Sequence, residues 1–493
     1  MSCEKHKSLE DYFEFFRNNI IGYNQTFETP YGTKRIVYAD WTASGRLYAP
    51  IENKLINDFG PFVGNTHTDT TVTGTSMTNA YKFAHEIIKK HVNASSEDVI
   101  ITSGSGMTKV VNKFQRILGL KIPDILSTFV TIPDELKPVV FVTHMEHHSN
   151  HTSWLETIAD VECILPDEKG LISLENLKDL LEKYKHKKTK IASVTACSNV
   201  SGIQTCYHKI AKLMHKNGGM CFVDFACSAP YVEINMHPQD PLEKLDAIYF
   251  SPHKFLGGPG TPGVLIFDSN LYTCQVPDNP GGGTVSWTNP WKEHKYFDDI
   301  EIREDGGTPA FLQTIKAALC IKLKEKMGVN NMLKREEEML KILFRDLKNI
   351  KGLHILAENI ESRLGVISFY IDGLHYDLGA KLLNDHFGIQ FRGGCSCAGT
   401  YGHFLLEISE SISKKITDRI NEGDFSSKPG WIRLAIHPIM TNDEIYYIIN
   451  AIKELVNNFN EWEKDYIYDP KTNTFFHVNG NNKEKQMVSG WFE

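Results

Sequence analysis

Lys254 lies between two short apolar runs, and this arrangement leaves few possibilities for the local fold. The runs Ala247–Phe250 and Val264–Phe267 are each predicted to be a buried strand. The Gly/Pro-rich segment Gly257–Gly263 between them can continue neither a strand nor a helix. Lys254 is therefore presented at the end of a strand, where open α/β sheets bind ligands. A lysine enclosed there can lose its proton and attack an aldehyde, whereas most lysines after a strand are simply solvated.

An aspartate closes another apolar run and gives the lysine a chemical context. Asp224 ends the predicted strand Met220–Asp224, and a buried carboxylate there needs a cationic partner. A protonated pyridine nitrogen is such a partner, and it turns the ring of pyridoxal phosphate (PLP) into an electron sink. Asp224 precedes Lys254 by thirty residues (254 − 224), which is enough for one crossover between neighbouring parallel strands.

A third segment has the composition of a phosphate-binding turn. Ile100–Thr108 runs from a predicted strand through glycines and hydroxyls into the helical stretch Lys109–Leu118. Backbone N–H groups at such a helix N-terminus bind phosphate. A plain turn between a strand and a helix has the same composition, so this segment is informative only together with the others.

Two histidines follow the predicted strand Val139–Thr143. His147 and His148 stand at its end, and histidines in this position can bind metals. No neighbouring cysteine or carboxylate pattern has the spacing of a zinc site, so we predict no metal. An imidazole stacked on an aromatic cofactor fits the other segments better.

The chain resembles class V aminotransferase-fold PLP enzymes, and within them the group II cysteine desulfurases and selenocysteine lyases. The resemblance runs from about Tyr38 to Leu455. It implies an α/β protein of the PLP-dependent transferase fold (fold type I), with a mostly parallel central sheet in a large domain and a smaller α+β C-terminal domain. The segments that carry it are Glu146-His-His-Ser-Asn, Ser198-Asn-Val-Ser-Gly, Val223-Asp, Ser251-Pro-His-Lys, Gly281-Gly-Gly, Gly307-Thr-Pro, Arg363-Leu-Gly-Val-Ile-Ser-Phe and Phe391-Arg-Gly-Gly-Cys-Ser-Cys.

The resemblance implies roles for individual residues in binding PLP. Lys254 would carry the cofactor, Asp224 would pair with its ring nitrogen, and His147 would stack on the ring and assist proton transfer. Asn199 would approach the phenolic side of the cofactor and the substrate. In a homodimer with shared active sites, the Gly307–Thr308 segment would serve the site of the partner subunit. The groups expected to hold the phosphate are Ser251, His253, Ser105, Gly106, Met107 and Thr108.

The resemblance also implies how an amino-acid substrate would be bound and attacked. Arg392 and Arg433 resemble arginines that clamp the substrate carboxylate, because a planar guanidinium matches a carboxylate bidentately. Cys397 lies five residues after Arg392 (392 + 5), the spacing of the sulfur-accepting cysteine in desulfurases, and Cys395 is two residues closer. A thiolate there could accept sulfur from cysteine as a persulfide. A sulfur-acceptor protein would then be a further partner.

Several departures from the family pattern mark a divergent member. Cys227 replaces the usual glutamine three residues after Asp224, and a thiol is a weaker hydrogen-bond donor. Met107 replaces a threonine, Pro252 replaces a glycine, and the usual Tyr-Asn before Thr441 is missing. Other reactions therefore stay open: a PLP-dependent β-lyase or aminotransferase, or a non-catalytic relative that acts as a binding module.

Composition favours a cytoplasmic enzyme without nucleic-acid or membrane partners. The chain has 493 residues, 41% of them hydrophobic, and a net charge of −8, which disfavours nonspecific binding to nucleic acid. Its 10 cysteines show no disulfide framework, which suggests a reducing compartment. No apolar stretch approaches the length of a membrane span, and Met1–Lys7 contains no apolar signal core.

The predicted organisation has five parts. A surface insertion is expected at 119–138, and no function is assigned to the tail. The parts are an N-terminal arm (1–35), a large PLP-binding domain (36–310), linking helices (311–351), a small C-terminal domain (352–458) and a C-terminal tail (459–493).

Overall fold

The computed structural model describes residues 7–480 and 483–493. The prediction that the N-terminus lacks a signal core therefore falls almost entirely on residues outside the described ones. Two compact units are present, which we call the large unit (Ser44–Ser198 and Gln204–Val329) and the small unit (the chain up to Ala43, Asn199–Ile203 and Asn330–Glu493). The five-part division stays a prediction.

The strands are numbered along the chain. In the part that the structure describes they are β1 (Thr26–Thr29), β2 (Gly32–Arg35), β3 (Val37–Tyr38), β4 (Asp98–Ser103), β5 (Val139–Thr143), β6 (Asp160–Ile164), β7 (Lys190–Thr195), β8 (Met220–Asp224), β9 (Ala247–Phe250), β10 (Gly263–Asp268), β11 (Val285–Thr288), β12 (His294–Tyr296), β13 (Leu353–Ile355), β14 (Val366–Ile371), β15 (Ile389–Gln390), β16 (Arg392–Gly394), β17 (Trp431–Ala435), β18 (Tyr466–Asp469) and β19 (Thr474–His477).

The α-helices are numbered in the same way. Over the same described residues they are α1 (Leu9–Arg17), α2 (Ala49–Lys54), α3 (Val72–His91), α4 (Met107–Ile117), α5 (His148–Leu155), α6 (Leu174–Lys183), α7 (Tyr207–Lys216), α8 (Ile300–Arg303), α9 (Phe311–Met327), α10 (Val329–Leu347), α11 (Tyr376–Phe387), α12 (Gly399–Leu405), α13 (Glu410–Asn421), α14 (Asn442–Trp462) and α15 (Lys483–Gly490). None of these helices combines the length and the apolarity needed to cross a membrane.

The large unit is built on a seven-stranded sheet in the order β4-β10-β9-β8-β7-β5-β6. The neighbours from β9 to β6 pair in parallel, and β10 runs antiparallel to both β9 and β4. This confirms the predicted mostly parallel sheet. It also confirms that the strands ending at Asp224 and preceding Lys254 are parallel neighbours, because β8 pairs directly with β9.

Burial explains why the central strands were readable from the sequence. Strands β5, β7 and β9 are buried along their whole length, as expected for parallel strands covered by helices on both faces. Helix α4 covers part of one face through Phe114, whose ring lies 5.1 Å from that of Phe222 and 5.0 Å from that of Phe267. Each such buried ring contributes about 1.5–3 kcal/mol of hydrophobic stabilisation, which fixes α4 and its N-terminus against the sheet.

The small unit contains a four-stranded antiparallel sheet in the order β13-β14-β17-β16. Helices α11 and α14 pack together beside it. The short parallel pair β15–β3 joins the N-terminal segment to this unit. An α+β arrangement of this kind agrees with the smaller domain that the resemblance implies.

Two helices differ in length from the prediction that the sequence pattern gives. The pattern predicts a helix over Leu9–Ile20, whereas α1 ends at Arg17, since Asn18 caps it. It also predicts a helix over Asn442–Asn457, whereas α14 continues to Trp462, and the tail then forms the hairpin β18–β19. The region 119–138 contains two short 3₁₀ helices, Asp124–Phe129 and Asp134–Leu136, with many exposed side chains.

Candidate active site

A single 3₁₀ turn, Pro252–Lys254, presents Lys254 directly after β9. The Lys254 N–H donates to the Ser251 carbonyl at 3.1 Å, and the Gly45 N–H donates to the His253 carbonyl at 2.9 Å. A Cβ atom at Gly45 would lie 1.9 Å from the Phe255 carbonyl oxygen, so only glycine fits this approach. The lysine side chain is half-buried at the strand end, as its sequence context predicts.

Asp224 is buried at the end of β8 and is cross-strand from Tyr249 on β9. Its Oδ1 accepts a hydrogen bond from the Ala226 N–H at 2.8 Å. Burial raises the pKa of Asp224 to about 6, although the Ala226 N–H and the charge of Lys254 oppose this rise. A buried carboxylate of this kind fits a cationic ring nitrogen, because pairing with it removes the unfavourable burial of an isolated charge.

The groups predicted to hold a phosphate converge at the N-terminus of α4. The Met107 N–H donates to Ser251 Oγ at 2.8 Å. A Cβ atom at Gly106 would lie 3.3 Å from Ser251 Oγ and 3.8 Å from His253 Nε2, so glycine leaves space between these groups. Burial lowers the pKa of His253 to about 4, and the charge of Lys254 adds to this effect. A neutral imidazole, a hydroxyl and helix N–H groups are suitable phosphate ligands.

His147 caps α5 and is oriented by it. Its Nδ1 accepts a hydrogen bond from the Ser149 N–H at 3.1 Å, so the neutral ring carries its proton on Nε2. The Ser149 hydroxyl pairs with the Thr108 hydroxyl at 2.6 Å, which joins the start of α5 to the first turn of α4. The predicted residues of the large unit therefore belong to connected elements, although their assigned roles stay predictions.

The sequence did not reveal that Glu146 is fully buried behind His147. Glu146 Oε1 accepts from the Thr143 hydroxyl at 2.7 Å and from the Thr195 N–H at 2.8 Å, and Oε2 accepts from Asn150 Nδ2 at 2.8 Å. Burial raises the pKa of Glu146 to about 8, against the effect of these donors. The spacing of Glu146 and Asn150, four residues apart on either side of the histidines, was the signal available in the sequence.

This buried network continues to β9, the strand that precedes Lys254. The Tyr249 hydroxyl donates to Asn150 Oδ1 at 2.8 Å, and the Ser193 hydroxyl donates to the same oxygen at 2.7 Å. Trp154 Nε1 also donates to Asn150 Oδ1, at 3.2 Å. The amide of Asn150 thus joins α5 to β7 and β9. This fixes the position of His147, at the start of α5, relative to Lys254, which follows β9.

Cys227 is buried where the family usually has glutamine. Its Sγ lies 3.7 Å from the Ser198 carbonyl oxygen, and Cys197 Sγ lies 3.6 Å from the same oxygen. The thiol at position 227 is therefore directed to a main-chain acceptor. A glutamine amide would supply a stronger donor at this position.

The segment that contains Thr308 is anchored by buried charges. Lys113 on α4 pairs with Glu304 at 2.6 Å, and Glu304 accepts from the Tyr272 hydroxyl at 2.7 Å. Gly307 has a positive φ of 87° and donates its N–H to the Gly282 carbonyl at 2.8 Å. Thr308 itself is exposed, and its predicted role in a partner's site stays a prediction.

In the small unit, Asp40 holds both predicted substrate arginines. Arg433 on β17 donates to Asp40 Oδ1 at 2.6 Å, and Arg392 on β16 donates through Nε to Asp40 Oδ2 at 3.0 Å. The two arginines face each other across the strand pair. One carboxylate between two guanidinium groups leaves the cluster with a net positive charge, which suits an anionic ligand. Sequence reasoning missed Asp40, which lies 352 residues from Arg392 in the chain.

Asn199 connects the arginine cluster to the cysteine loop. Its carbonyl oxygen accepts from Arg433 at 3.2 Å, and its side-chain amide donates to the Ser396 carbonyl at 2.7 Å. Trp431 Nε1 donates to the Ser396 hydroxyl at 3.1 Å. The glycine-rich composition of residues 393–402 predicts a flexible loop, but the structure holds this loop at Ser396.

The two loop cysteines differ in exposure. Cys395 is half-buried and Cys397 is exposed. Ser396 and Cys397 have φ angles of 52° and 54°, a left-handed conformation that is uncommon for residues other than glycine. Such a conformation is maintained only where neighbouring contacts hold it. Among the described residues no group of three or more His, Cys, Asp or Glu side chains could hold a metal ion.

Sequence comparison with known proteins identifies the family that this chain matches. A sequence profile of the aminotransferase class-V family matches residues 37–448. The chain is 28% identical over 377 residues to a probable cysteine desulfurase of Staphylococcus epidermidis, covering 75% of this chain and 85% of that protein. It is 28% identical over 427 residues to a probable cysteine desulfurase of Staphylococcus aureus, covering 85% and 92%.

Solved structures share the fold at lower sequence identity. The apo structure of a cysteine desulfurase from Thermococcus onnurineus NA1 superposes with a TM-score of 0.71 at 22% identity, covering 90% of this chain and 98% of that one. The cysteine desulfurase CsdA from Escherichia coli gives a TM-score of 0.67 at 19% identity, covering 85% and 94%. At these identities the comparison establishes the fold.

The raised pKa of Asp224 predicts how binding of PLP depends on pH. Below pH 6 the carboxyl is protonated in the free protein and must lose its proton to pair with a pyridinium. Affinity should therefore fall as pH decreases through 6, by about tenfold per unit at lower pH. Titration of cofactor-free protein with PLP between pH 5 and 8, followed by absorbance, measures this change. Asp224→Asn should bind weakly and lack this inflection; equal profiles for both proteins would contradict the assignment.

Proposed function

The chain belongs to the aminotransferase class-V family of PLP-dependent enzymes, and we propose that it removes sulfur from cysteine, or selenium from selenocysteine, through a loop cysteine. The observation that carries this proposal is the attachment of the Cys395–Cys397 loop to Asn199, whose carbonyl is held by Arg433. A thiol-bearing loop is thereby placed beside a cationic cluster. The thiolate is the form of cysteine that attacks sulfur.

The large unit supplies the groups that would hold the cofactor. PLP, when bound, provides an electron sink for bonds at the α- and β-carbons of an amino acid. Lys254 would bind it covalently, and Asp224 would hold its ring nitrogen protonated. Ser251 and the first N–H groups of α4 would bind its phosphate, and His147 would offer the Nε2 proton on the ring face. Asn150 keeps α5 and β9 in fixed relation, so that these groups would need little rearrangement.

The small unit supplies the groups that would bind the substrate. Arg433 is engaged by Asp40 and Asn199, which leaves it rigid. Arg392 contacts Asp40 through Nε, and its side chain is 51% exposed. Arg392 would therefore present its terminal nitrogens as the fork for a carboxylate, and Arg433 would set its position through Asp40.

Sulfur transfer would use the exposed thiolate of the loop. Cys397 would attack the substrate sulfur and become a persulfide while the carbon–sulfur bond breaks. The carbon keeps the electron pair and takes up a proton, which yields alanine. Half-buried Cys395 is the second choice for this role. Persulfide sulfur must then pass to an acceptor, so a sulfur-acceptor protein is a partner in this proposal.

We further propose a homodimer with shared active sites in the cytoplasm. The exposed Thr308, on a segment anchored by the buried Lys113–Glu304 pair, supports a role toward a second subunit. The cysteines of the described residues form no disulfide bonds, which supports a reducing compartment. Such a shared interface would be large and obligate in character.

Borohydride reduction tests the cofactor site. The purified protein should be yellow, and reduction followed by peptide mapping should place the label on Lys254, because this lysine alone follows β9 beside Asp224 and Ser251. Lys254→Ala should take up no label. A label on another lysine would overturn the site assignment.

Substitution of the loop cysteines tests the reaction. Cys397→Ala should lose sulfide release from cysteine while PLP stays bound, because the thiol is not a cofactor ligand. Cys395→Ala should retain most of the activity, and Cys227→Ala should shift the absorption band more than the rate. Alanine and sulfide are the products to be measured, with dithiothreitol added to reduce the persulfide and release its outer sulfur as sulfide. Full sulfide release by the Cys395/Cys397 double variant would refute persulfide transfer, and pyruvate in place of alanine would then favour a β-lyase. A keto-acid product without sulfide would favour an aminotransferase.

Hybrid dimers test the shared site. In a mixture of Lys254→Ala and Thr308→Val chains, one site of each hybrid carries both changes and the other carries neither. PLP titration should therefore recover a class of tight sites that neither parent has. Hybrids with no tighter sites than their parents would exclude the proposed role of Thr308 in the partner's site.

A further inference from the structure

The C-terminal hairpin β18–β19 lies beyond residue 448, where the match to the family ends. It packs against α11 in the small unit. Tyr466 at its start donates a buried hydrogen bond to Asp385 on α11 at 2.7 Å. The ring of His386 is stacked between those of Tyr31 and Trp462, at centroid distances of 3.7 Å and 4.0 Å. The hairpin is therefore an integral part of this unit.

The turn of the hairpin reaches the N-terminal end of α11 through one side chain. The Asn473 amide donates to the Tyr376 hydroxyl at 3.1 Å and to the Asp377 carboxylate, and its oxygen accepts from the Tyr468 hydroxyl at 2.9 Å. Asn473 has a φ of 53°, a conformation that asparagine tolerates better than most residues. The left-handed backbone of Asn473 forms the turn, and its side chain makes the hydrogen bonds to α11 and Tyr468.

The two residues that Asn473 contacts lie against the strand that leads into the cysteine loop. A Cβ atom at Gly393 on β16 would lie 2.4 Å from Asp377 Oδ1, so strand and helix approach as closely as glycine permits. A Cβ atom at Gly430, just before β17, would lie 2.6 Å from the Tyr376 ring. Cys395 is close enough for its charge to raise the pKa of Tyr376, although burial is the main cause of the rise.

A second contact joins the hairpin to the other strand beneath the loop. The Phe425 N–H donates to the Pro470 carbonyl in the hairpin at 3.1 Å, five residues before Gly430. β17 then carries Trp431, which holds the Ser396 hydroxyl. Both strands that flank the loop thus receive contacts that trace back to the hairpin.

From this juxtaposition we infer that the hairpin positions the cysteine loop, with Asn473 as the positioning residue that acts through Tyr376 and Asp377. The hairpin holds the N-terminal end of α11 against Gly393 and Gly430, and this restrains Cys395 and Cys397. The inference rests on the proposed function only for its catalytic consequence, because restraint of the loop can be measured in a protein of any activity.

Alkylation of the loop thiols tests the inference without an activity assay. Asn473→Gly removes the amide and keeps the left-handed turn, since glycine adopts positive φ freely. Iodoacetamide should then modify Cys395 about fivefold faster, which corresponds to a loss of about 1 kcal/mol from the net stabilisation that the Asn473 contacts give to the restrained loop. Peptide mapping against time gives the rate for each cysteine. An unchanged rate for Cys395 would overturn the inference.

Internal and matched controls separate positioning from general destabilisation. Cys221 and Cys320 are fully buried in the large unit, and their labelling should stay as slow as in the parent protein. Thr472→Ala changes the same turn without touching the Asn473 amide, so Cys395 should react at the parental rate. Faster labelling of Cys221 or Cys320, or an equal effect of Thr472→Ala, would mean that no specific contact is responsible.

A double-mutant cycle tests the path through α11. Tyr376→Phe removes the hydroxyl that accepts from Asn473 but keeps the ring against Gly430. If Asn473 acts through this hydroxyl, the double variant should label no faster than the faster single variant, whereas independent effects would multiply. A multiplicative cycle would overturn the path through Tyr376.

Tyr468→Phe is the substitute variant if Asn473→Gly does not fold. It removes the hydroxyl that donates to the Asn473 oxygen without altering the turn, and Cys395 should again label faster. No acceleration in Tyr468→Phe would overturn the role of Asn473.

Steady-state kinetics connect the loop to the reaction. For a desulfurase, Asn473→Gly should lower kcat about fivefold, in proportion to the labelling change, and leave the KM for cysteine and the PLP absorption band unchanged. Faster labelling without desulfurase activity in the parent would refute the proposed function and keep the positioning inference. Faster labelling with unchanged kcat in an active desulfurase would show that the restraint plays no part in catalysis and would overturn that part of the inference.

Discussion

The parallel pairing of β8 with β9 buries a carboxylate beside a strand that is followed by a lysine, and the rest of the large unit is organised around this pairing. Asp224 is opposite Tyr249, and Tyr249 lies five residues before Lys254 in the chain. Burial raises the pKa of Asp224 because water is excluded from its carboxyl group. An isolated buried charge is unfavourable. A fold that maintains one at a strand end needs either a ligand for it or a close-packed frame around it.

The frame is supplied by a buried polar network rather than by apolar contacts alone. Asn150 receives hydrogen bonds from Ser193, Tyr249 and Trp154 and donates one to Glu146. Every member is a polar group removed from water, so the loss of one would leave its partners unsatisfied. Such networks hold a single geometry, which is what a site needs when it must align a cofactor with several side chains.

The small unit is also held by a polar network, but here one carboxylate binds two guanidinium groups. Asp40 binds both Arg392 and Arg433. Asn199 accepts a hydrogen bond from Arg433 and donates one to Ser396, which lies between the two cysteines. The left-handed backbone at Cys397 is held between this contact on one side and the hairpin-supported strands on the other. A loop whose glycine content suggests flexibility is restrained at Ser396, and Cys397 remains exposed beside it.

The sequence by itself determined the elements whose burial is complete. β5 and β9 begin and end where the apolar runs do, because buried parallel strands must be apolar throughout and turns must interrupt them. The same reasoning placed Asp224 at the end of one strand and Lys254 after the neighbouring parallel strand, and it predicts a phosphate-binding turn before α4. Only the tertiary structure decided that Asp40 joins two arginines more than 350 residues away, that Tyr249 meets Asn150, and that Asn473 contacts α11. These contacts depend on strand register and helix packing between distant segments, and a local sequence pattern carries no record of either.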